Sequence, residues 1–315
     1  MVDLAATVEQ TKEPKRHSLI VDLGIRMWRE KPLGTIGAVI VLALFLTGIF
    51  ADFLAPYGYN EIKLADSLQP PSEKYILGTD DIGRDLLSRV IYGARVSMYV
   101  GLAGTILCTA VAVLIGVLSG YLGGRFDMVV QRFVDAWLCF PQLFLMLSLM
   151  AVFGPGLFQV IMVLGIRFGI SSSRIVRGAV MGIRQNAYLE AAMAIGSPTR
   201  AILFRHILPN VMAPIIVLFT TRMANIILAE ATLSFLGYGL PPPIPSWGGM
   251  LSGSGRQYML IAPWMVVWSG LSLSLVIYGI NMFGDALRDL LDPRLKGGLG
   301  RFGEAKITKA SAQQS

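Results

Sequence analysis

Charge is scarce in this chain. Of its 315 residues only 15% are Asp, Glu, Lys or Arg, against 54% hydrophobic residues, and the mean hydropathy is +0.61. A composition this apolar excludes an ordinary soluble domain and reads as a protein that crosses a membrane several times. Histidine is nearly absent, and the two present, His17 and His206, lie outside every apolar run, which excludes histidine-based catalysis at membrane depth. The two cysteines, Cys108 and Cys139, fall inside apolar runs without metal-ligand spacing and read as small packing residues. No glycine run ends in Gly-Lys-Ser/Thr, so the chain has no phosphate-binding loop of its own for ATP. No Ser-His or Cys-His pair can be assembled within the apolar runs. Asp135, Glu230 and Asp285 do not make an intramembrane aspartyl protease, because Asp285 stands in a charged run beyond the last apolar stretch. The first thirty residues mix charges without the apolar core of a signal peptide, so the first apolar stretch is expected to be retained.

What is present is a series of apolar stretches near the roughly 20 residues that a helix needs to cross a bilayer core. Six qualify or nearly do: Leu33 to Leu54, Val96 to Leu118, Val129 to Phe153, Gly156 to Ile170, Val211 to Ser234 and Trp264 to Phe283. The third carries Arg132 and Asp135 near its start and Pro141 inside; the fourth is short and holds Arg167. Ahead of them, Leu19, Ile20, Leu23 and Met27 recur at helical spacing opposite Asp22, Arg26, Arg29 and Glu30. That pattern fits either a helix on the membrane surface or a simple lead-in to the first span.

The net charge of +7 is spread over particular loops rather than gathered in a patch, which argues for membrane topology and against a nucleic-acid partner. With the N-terminus on the cytoplasmic side, only Lys63, Lys74, Arg84, Arg89, Arg95 and Arg256 of the 27 Lys and Arg fall in outer segments. Arg222 falls within a span and all the others on the cytoplasmic side, so both termini are expected to be cytoplasmic. In the outer segment after the first span, Asp80, Asp81 and Asp85 alternate with Arg84 and Arg89. Three close carboxylates suggest calcium, but the spacing lacks the ligand ladder of an EF-hand, and a self-neutralising folded cap is the better reading. Trp247, Trp264 and Trp268 fit an aromatic belt at the outer interface, and Pro241 to Pro243 make a stiff outer loop. Gly123-Gly124 reads as a tight turn after the second span.

The stretch Tyr188 to Asn210, YLEAAMAIGSPTRAILFRHILPN, is the longest polar-containing segment between two membrane-grade stretches. Leu189 to Ile195 is rich in good helix formers. Gly196 suits the left-handed position past a helix end, Ser197 the next N-cap and Pro198 its first turn; the second helix is expected to run to His206 and stop before Pro209. By itself this is a helix–glycine–helix corner, either an amphipathic hairpin between spans or a handle for a cytoplasmic partner.

Glu190, Ala191, Ala192, Gly196, Ile207, Leu208 and Pro209 fall at the spacing of the EAA loop of ABC-importer permeases, and the chain resembles that family at three further places. GTDDIGRDLLSRVIYGARVS, ILAEATLSFLGYGLPPPIPSWGGML from Ile227 to Leu251, and NMFGDALRDLLDPRL from Asn281 to Leu295 look like signatures of the second-type (C-type) permease of dipeptide, oligopeptide and nickel importers. The resemblance covers most of residues 33–296. It implies an all-α polytopic membrane protein of six transmembrane helices with the type I ABC-importer permease fold, in a prokaryotic cell (inner) membrane. Residues 1–32 would be a cytoplasmic arm with an interfacial helix and 33–95 the first span with its extracytoplasmic cap. Residues 96–283 would be the core permease domain with the EAA loop at 188–210, and 284–315 a cytoplasmic tail.

The resemblance also implies partners: a homologous permease, two ABC ATPase subunits, an extracytoplasmic substrate-binding protein and a peptide-like substrate. The chain would need no cofactor, metal or catalytic residue of its own, ATP and Mg being held by the ATPases. The EAA loop, with Glu190, Ala191, Ala192, Gly196, Arg200, Arg205, Ile207 and Pro209, would couple to them. Arg222 and Glu230, eight residues apart and broadly on one helix face, are candidates for the translocation path or the contact with the second permease. On the residues alone, Glu230 near the outer interface and merely solvated is an equal alternative. Two other readings remain: a self-contained secondary transporter or channel, for which no internal repeat is found, or the same family with a nickel-chelate or oligosaccharide cargo.

Overall fold

The computed structural model describes residues 19–291. The polar N-terminal residues with His17 and the tail after Leu291 lie outside the described residues, as do the expectations placed on them. The described chain is built of helices: α1 (Leu19–Glu30), α2 (Pro32–Ile49), α3 (Ala51–Leu54), α4 (Leu86–Leu122), α5 (Gly124–Cys139), α6 (Gln142–Phe153), α7 (Leu157–Arg184), α8 (Ala187–Ala194), α9 (Thr199–Ala201), α10 (Leu208–Asn210), α11 (Met212–Phe235), α12 (Trp247–Leu251), α13 (Ser254–Gln257) and α14 (Trp264–Leu291). Five of them, α2, α4, α7, α11 and α14, are long and apolar enough to cross a membrane, and the pair α5–α6 makes a sixth if it is counted as one broken span. The fold is all-α and polytopic, as the hydropathy pattern predicts.

The third expected span, Val129 to Phe153, is not a straight helix. α5 and α6 meet at 91° across Phe140 and Pro141. Pro141 has no amide hydrogen and its ring pushes the preceding residue out of helical space; Phe140 accordingly sits extended at φ −75, ψ 131. The fourth, expected to be short, is instead a 28-residue helix that runs on past Ile170 to Arg184. Its later half carries Arg174 and Arg177, which lower its hydropathy but are paired: Arg174 with Asp135, and Arg177 with Asp127. The second span also runs longer than its apolar stretch. α4 has 37 residues, about 55 Å of helix, and starts at Leu86, where the Asp85 carboxylate accepts hydrogen bonds from Ser88 N (2.8 Å) and Ser88 Oγ (2.6 Å) as N-cap.

α4 and α7 pack along most of their length because small residues let the backbones touch. A Cβ on Gly116 would lie 2.6 Å from the Ser173 carbonyl oxygen, so only glycine fits there. Three apolar clusters follow the bundle. The first joins Leu86, Trp247, Met265 and Ile280, the second Cys108, Leu164, Phe168 and Ile226, and the third Val180, Leu189, Ile202 and Ile207. We call the end of the first cluster the cap end and that of the third the corner end.

At the cap end, residues 55–85 fold over the helices. Asp80 accepts from Arg84 N (2.8 Å) and Arg84 Nε (2.6 Å), with Arg89 Nε 3.7 Å away. Arginine thus answers one of the three carboxylates expected to be self-neutralised: Asp85 accepts from Ser88 instead, and Asp81 Oδ1 is buried without a hydrogen-bond partner. Asp66 accepts from Lys74 Nζ (2.8 Å) and Tyr75 OH (2.7 Å), and the Lys74 ammonium, then the Tyr75 hydroxyl, hold its carboxyl below the usual carboxylate range. The aromatic-belt expectation fails for Trp247, which is 2% exposed with its indole N–H donated to Val90 O at 3.0 Å. Trp264 donates likewise to Thr79 O at 3.2 Å. Trp264 thereby fastens the cap to α14 and Trp247 fastens α12 to α4, since a buried indole needs an acceptor that lipid cannot supply.

Candidate functional site

The corner between α7 and α11 is a helix–turn–helix. Ala187 to Ala194 is dominated by alanine and makes α8. Gly196 ends it at φ +75, with its N–H on Met193 O (3.0 Å) and that of Ser197 on Ala192 O (3.1 Å). A Cβ at Gly196 would meet nothing within 4 Å, so the backbone conformation rather than space demands glycine. Ser197 is not the N-cap expected of it: its amide turns back onto α8, and the residue before α9 is Pro198, extended at ψ 143, without a side-chain cap. The second helix also does not stop before Pro209. It widens to a π-helical stretch over Ile202–Ile207 and passes into α10 with Pro209 in its first turn, where a missing amide hydrogen is harmless.

One face of the corner is sunk into the bundle. Leu189 is 1% exposed, Ala192 8%, Ile202 1% and Ile207 0%. The other face is open: Glu190, Ala191, Gly196, Arg200, Arg205 and Pro209 are all exposed. Among them stand Met193, Ile195 and Phe204, the last two 83% and 70% exposed. These three are the residues that sequence reasoning missed. By composition they read as core, and only the folded corner shows that their side of it is unpacked.

Arg222 and Glu230 are both on α11 but are not brought together. Glu230 lies about 12 Å further along the helix, wholly buried, with Ser234 Oγ donating to its Oε1 at 2.7 Å and its Oε2 without a partner. Ser234 in turn lines a cap-end cavity of about 380 Å³ with Arg84, Arg89, Leu240, Pro241 and Ser246 among its walls. The solvated position weighed for Glu230 is therefore excluded. Arg222 is half-buried at the middle of the helix, its Cζ 5.7 Å from the centroid of the Phe168 ring, and Arg167 Cζ is 5.7 Å from the same ring. Beside Arg222, Asn225 is exposed and Thr221 half-exposed; Asn225 Nδ2 donates to Thr221 O at 2.8 Å. Arg167 is 6% exposed. Its signal in the sequence was plain, a charge within a short apolar stretch, as was that of Arg222; that the two meet at one ring from different helices was not. No group of His, Cys, Asp or Glu among the described residues is placed to hold a metal ion.

Residues 112–297 match the family model described as the binding-protein-dependent transport system inner membrane component, and residues 22–71 that of the N-terminal TM domain of oligopeptide transport permease C. The chain is 40% identical over 276 residues to the dipeptide transport system permease protein DppC of Alkalihalophilus pseudofirmus, spanning 85% of this chain and 90% of that relative. It is 37% identical over 282 residues to the oligopeptide transport system permease protein OppC of Bacillus subtilis, spanning 90% and 92%. A solved structure of the MetNI methionine ABC transporter in an inward-facing conformation matches with a TM-score of 0.51 at 19% identity, over 66% of this chain and 96% of that one, a likeness of fold alone. With the broken α5–α6 pair, the α7–α11 corner and matches over both of its parts, the chain belongs to the binding-protein-dependent transport system inner membrane component family, among the peptide ABC transporter permeases.

Proposed function

We propose that this chain is the second-type permease subunit of an ATP-driven importer of peptides. It forms the translocation path with a homologous permease and takes its motion from two ATPase subunits at the corner. The observation that carries this reading is the two-sidedness of residues 187–210: an inner face buried with Leu189, Ile202 and Ile207, and an outer face left open with Glu190, Arg200, Arg205, Ile195 and Phe204. A surface of exposed apolar side chains rimmed by charge is what a docking partner covers. α7 leads into the corner and α11 leads out of it, so a pull on the corner acts directly on the two helices that carry Arg167, Arg222 and Glu230.

In this reading the chain sits in a prokaryotic inner membrane with the corner and both termini in the cytoplasm, an orientation that the Lys and Arg distribution supports, and the cap end faces an extracytoplasmic binding protein that delivers the peptide. ATP and Mg belong to the ATPases; this chain binds neither. Arg222 serves the path or the contact with the second permease. Glu230, one hydrogen bond behind the wall of the cap-end cavity, holds α11 there.

A gentle-detergent pull-down of the tagged chain, with every co-purifying protein identified by mass, tests this. Recovery of a second permease and one or two ATPases is the expected result. A chain that comes down alone, stable and monomeric, overturns the reading in favour of a self-contained transporter.

A further inference from the structure

Two arginines stand at membrane depth with no carboxylate paired to them among the described residues. Arg167 is the eleventh residue of the 28-residue α7 and Arg222 the eleventh of the 24-residue α11, so each lies about 15 Å from its helix start, near the middle of a bilayer core. Arg167 is 6% exposed, and its Nε is buried without a hydrogen-bond partner. Both guanidinium carbons lie 5.7 Å from the Phe168 ring centroid, hence within about twice that distance of each other. Neither arginine has an ion-pair partner among the described residues. Glu230, the one acid on α7 or α11, sits two turns toward the cap end with Oε1 bonded to Ser234. The acids of α5, Asp127 and Asp135, are taken by Arg177 and Arg174.

A buried charge is costly unless something answers it, and the answer is usually functional at membrane depth. Phe168 supplies part of it: the π-face of one ring attracts both cations. That leaves the guanidinium donors unused. Arg222 reaches an open side of α11 where Thr221 and Asn225 also stand, a polar stripe that suits water or protein and not lipid. A guanidinium fork matches a carboxylate in shape and charge, two of them more so.

We infer that Arg167 and Arg222 form a transient intramembrane site for the free C-terminal carboxylate of a peptide in transit. The site rests on the peptide-importer reading above and deepens it: it makes the permease itself selective for one chemical group of the cargo. An anion held by two unpaired cations and released when α7 and α11 shift needs no fixed acid beside it.

The test uses trialanine and trialanine amide, which differ only at the C-terminus. Uptake of each is measured in cells carrying the full transporter, and the affinity of each for the isolated binding protein is measured separately. The preference of wild-type uptake for the free acid is expected to exceed the binding-protein preference by tenfold or more. Arg167→Gln and Arg222→Gln should bring that excess close to one by slowing the free acid to the amide's rate, while Arg222→Lys, which keeps the charge, should retain most of it. Pull-down confirms that each variant assembles, and where a glutamine variant does not, the wild-type excess over the binding-protein preference carries the test. A wild-type excess near one, or glutamine variants with the wild-type excess, overturns the site. Equal slowing of both peptides also overturns it, because it shows the arginines pairing with a fixed carboxylate of a partner subunit. A wild-type complex that assembles and imports neither peptide sinks the peptide-cargo reading, and this site with it.

Discussion

The indole N–H of Trp247 donates to the carbonyl oxygen of Val90 at 3.0 Å, tying the short helix α12 to the first turns of α4 across 157 residues of sequence. The ring is 2% exposed and packs in the cluster of Leu86, Ala94 and Met265. One side chain thus closes the cap-end face of the bundle. Trp247→Phe should lose the hydrogen bond and about 1 kcal/mol. Trp247→Ala should lose the packing as well, about 3–5 kcal/mol. Thermal unfolding of the purified chain should rank them wild type, Phe, Ala. A phenylalanine variant as unstable as the alanine one would show that the ring's contacts, and not its tether, are wrongly described.

The cap carries an acid-sensitive contact. Lys74 and Tyr75 both donate to Asp66 and hold its carboxyl below its ordinary value. A carboxylate whose folded pKa is depressed contributes stability that is complete above the unfolded value of about 4 and is lost as pH falls through the folded one. Lys74, raised by the same contact, contributes below its own unfolded value of about 10. The contact is therefore intact between those limits and fails in acid. Amide exchange at Thr79, whose hydroxyl donates to Asp66 O at 2.6 Å, should quicken on acidification below about pH 4 relative to the intrinsic rate. In Asp66→Asn that acid step should shrink; an unchanged step would assign it to another group.

Hydropathy located all the spans because each one's apolar stretch is fixed by bilayer thickness, whatever it packs against. It misjudged their ends. α7 extends beyond its apolar stretch because Arg174 and Arg177 are neutralised by Asp135 and Asp127 from α5, a pairing between residues 39 and 50 positions apart that no local window contains. Pro141 was visible, but the 91° bend depends on what Phe140 does before it. The corner's turn was legible through Gly196, whereas its open apolar face was not, since nothing in the spacing separates Phe204, exposed, from Ile202, buried. Arg167 and Arg222 could each be found as a charge in a span; their shared ring could not.

Asp127 is the acceptor that joins three helices. Arg177 of α7 donates to its Oδ1 through Nε at 2.6 Å and to its Oδ2 through a terminal nitrogen, and Ser119 Oγ of α4 donates to the same Oδ1. The pair is half-buried, with side-chain exposures of 27% for Arg177 and 15% for Asp127. Asp127→Asn should leave Arg177 without its charge partner and lower stability by about 1–3 kcal/mol, between the surface and buried limits. Adding Arg177→Gln should recover part of that loss. A double-mutant cycle on unfolding midpoints measures the coupling, and strictly additive losses would mean that the two residues do not interact.

Gly196 separates the corner's stability from its use. Its φ of +75 makes any side chain strained by about 1 kcal/mol, yet a Cβ would touch nothing. Gly196→Ala should therefore fold and insert normally. Gly196→Asp adds a charge on the open face beside Ile195. If the corner transmits motion from an ATPase, that variant should hydrolyse ATP without importing cargo, read as the ratio of uptake to hydrolysis in the assembled complex. Normal coupled uptake in Gly196→Asp would remove the corner from the mechanism.

The contact of α4 with α7 makes the opposite case, a glycine demanded by space alone. Gly116 lies mid-helix, and a Cβ there would come within 2.6 Å of Ser173 O, 2.7 Å of Val176 Cβ and 2.9 Å of Arg177 N. Two of the three are backbone atoms of a helix held at both ends, so neither side chain rotation nor a small shift relieves the overlap. Gly116→Ala improves intrinsic helix propensity by about 1 kcal/mol, which on an exposed helix would stabilise. Here overpacking should win, at about 1–3 kcal/mol, and push α7 away from α4. The displacement moves Arg177 relative to Asp127, so the alanine variant should also shrink the Asp127–Arg177 coupling energy. Unfolding midpoints and the same double-mutant cycle in the Gly116→Ala background check both effects. A midpoint that rises would mean that α4 and α7 do not approach as closely as described.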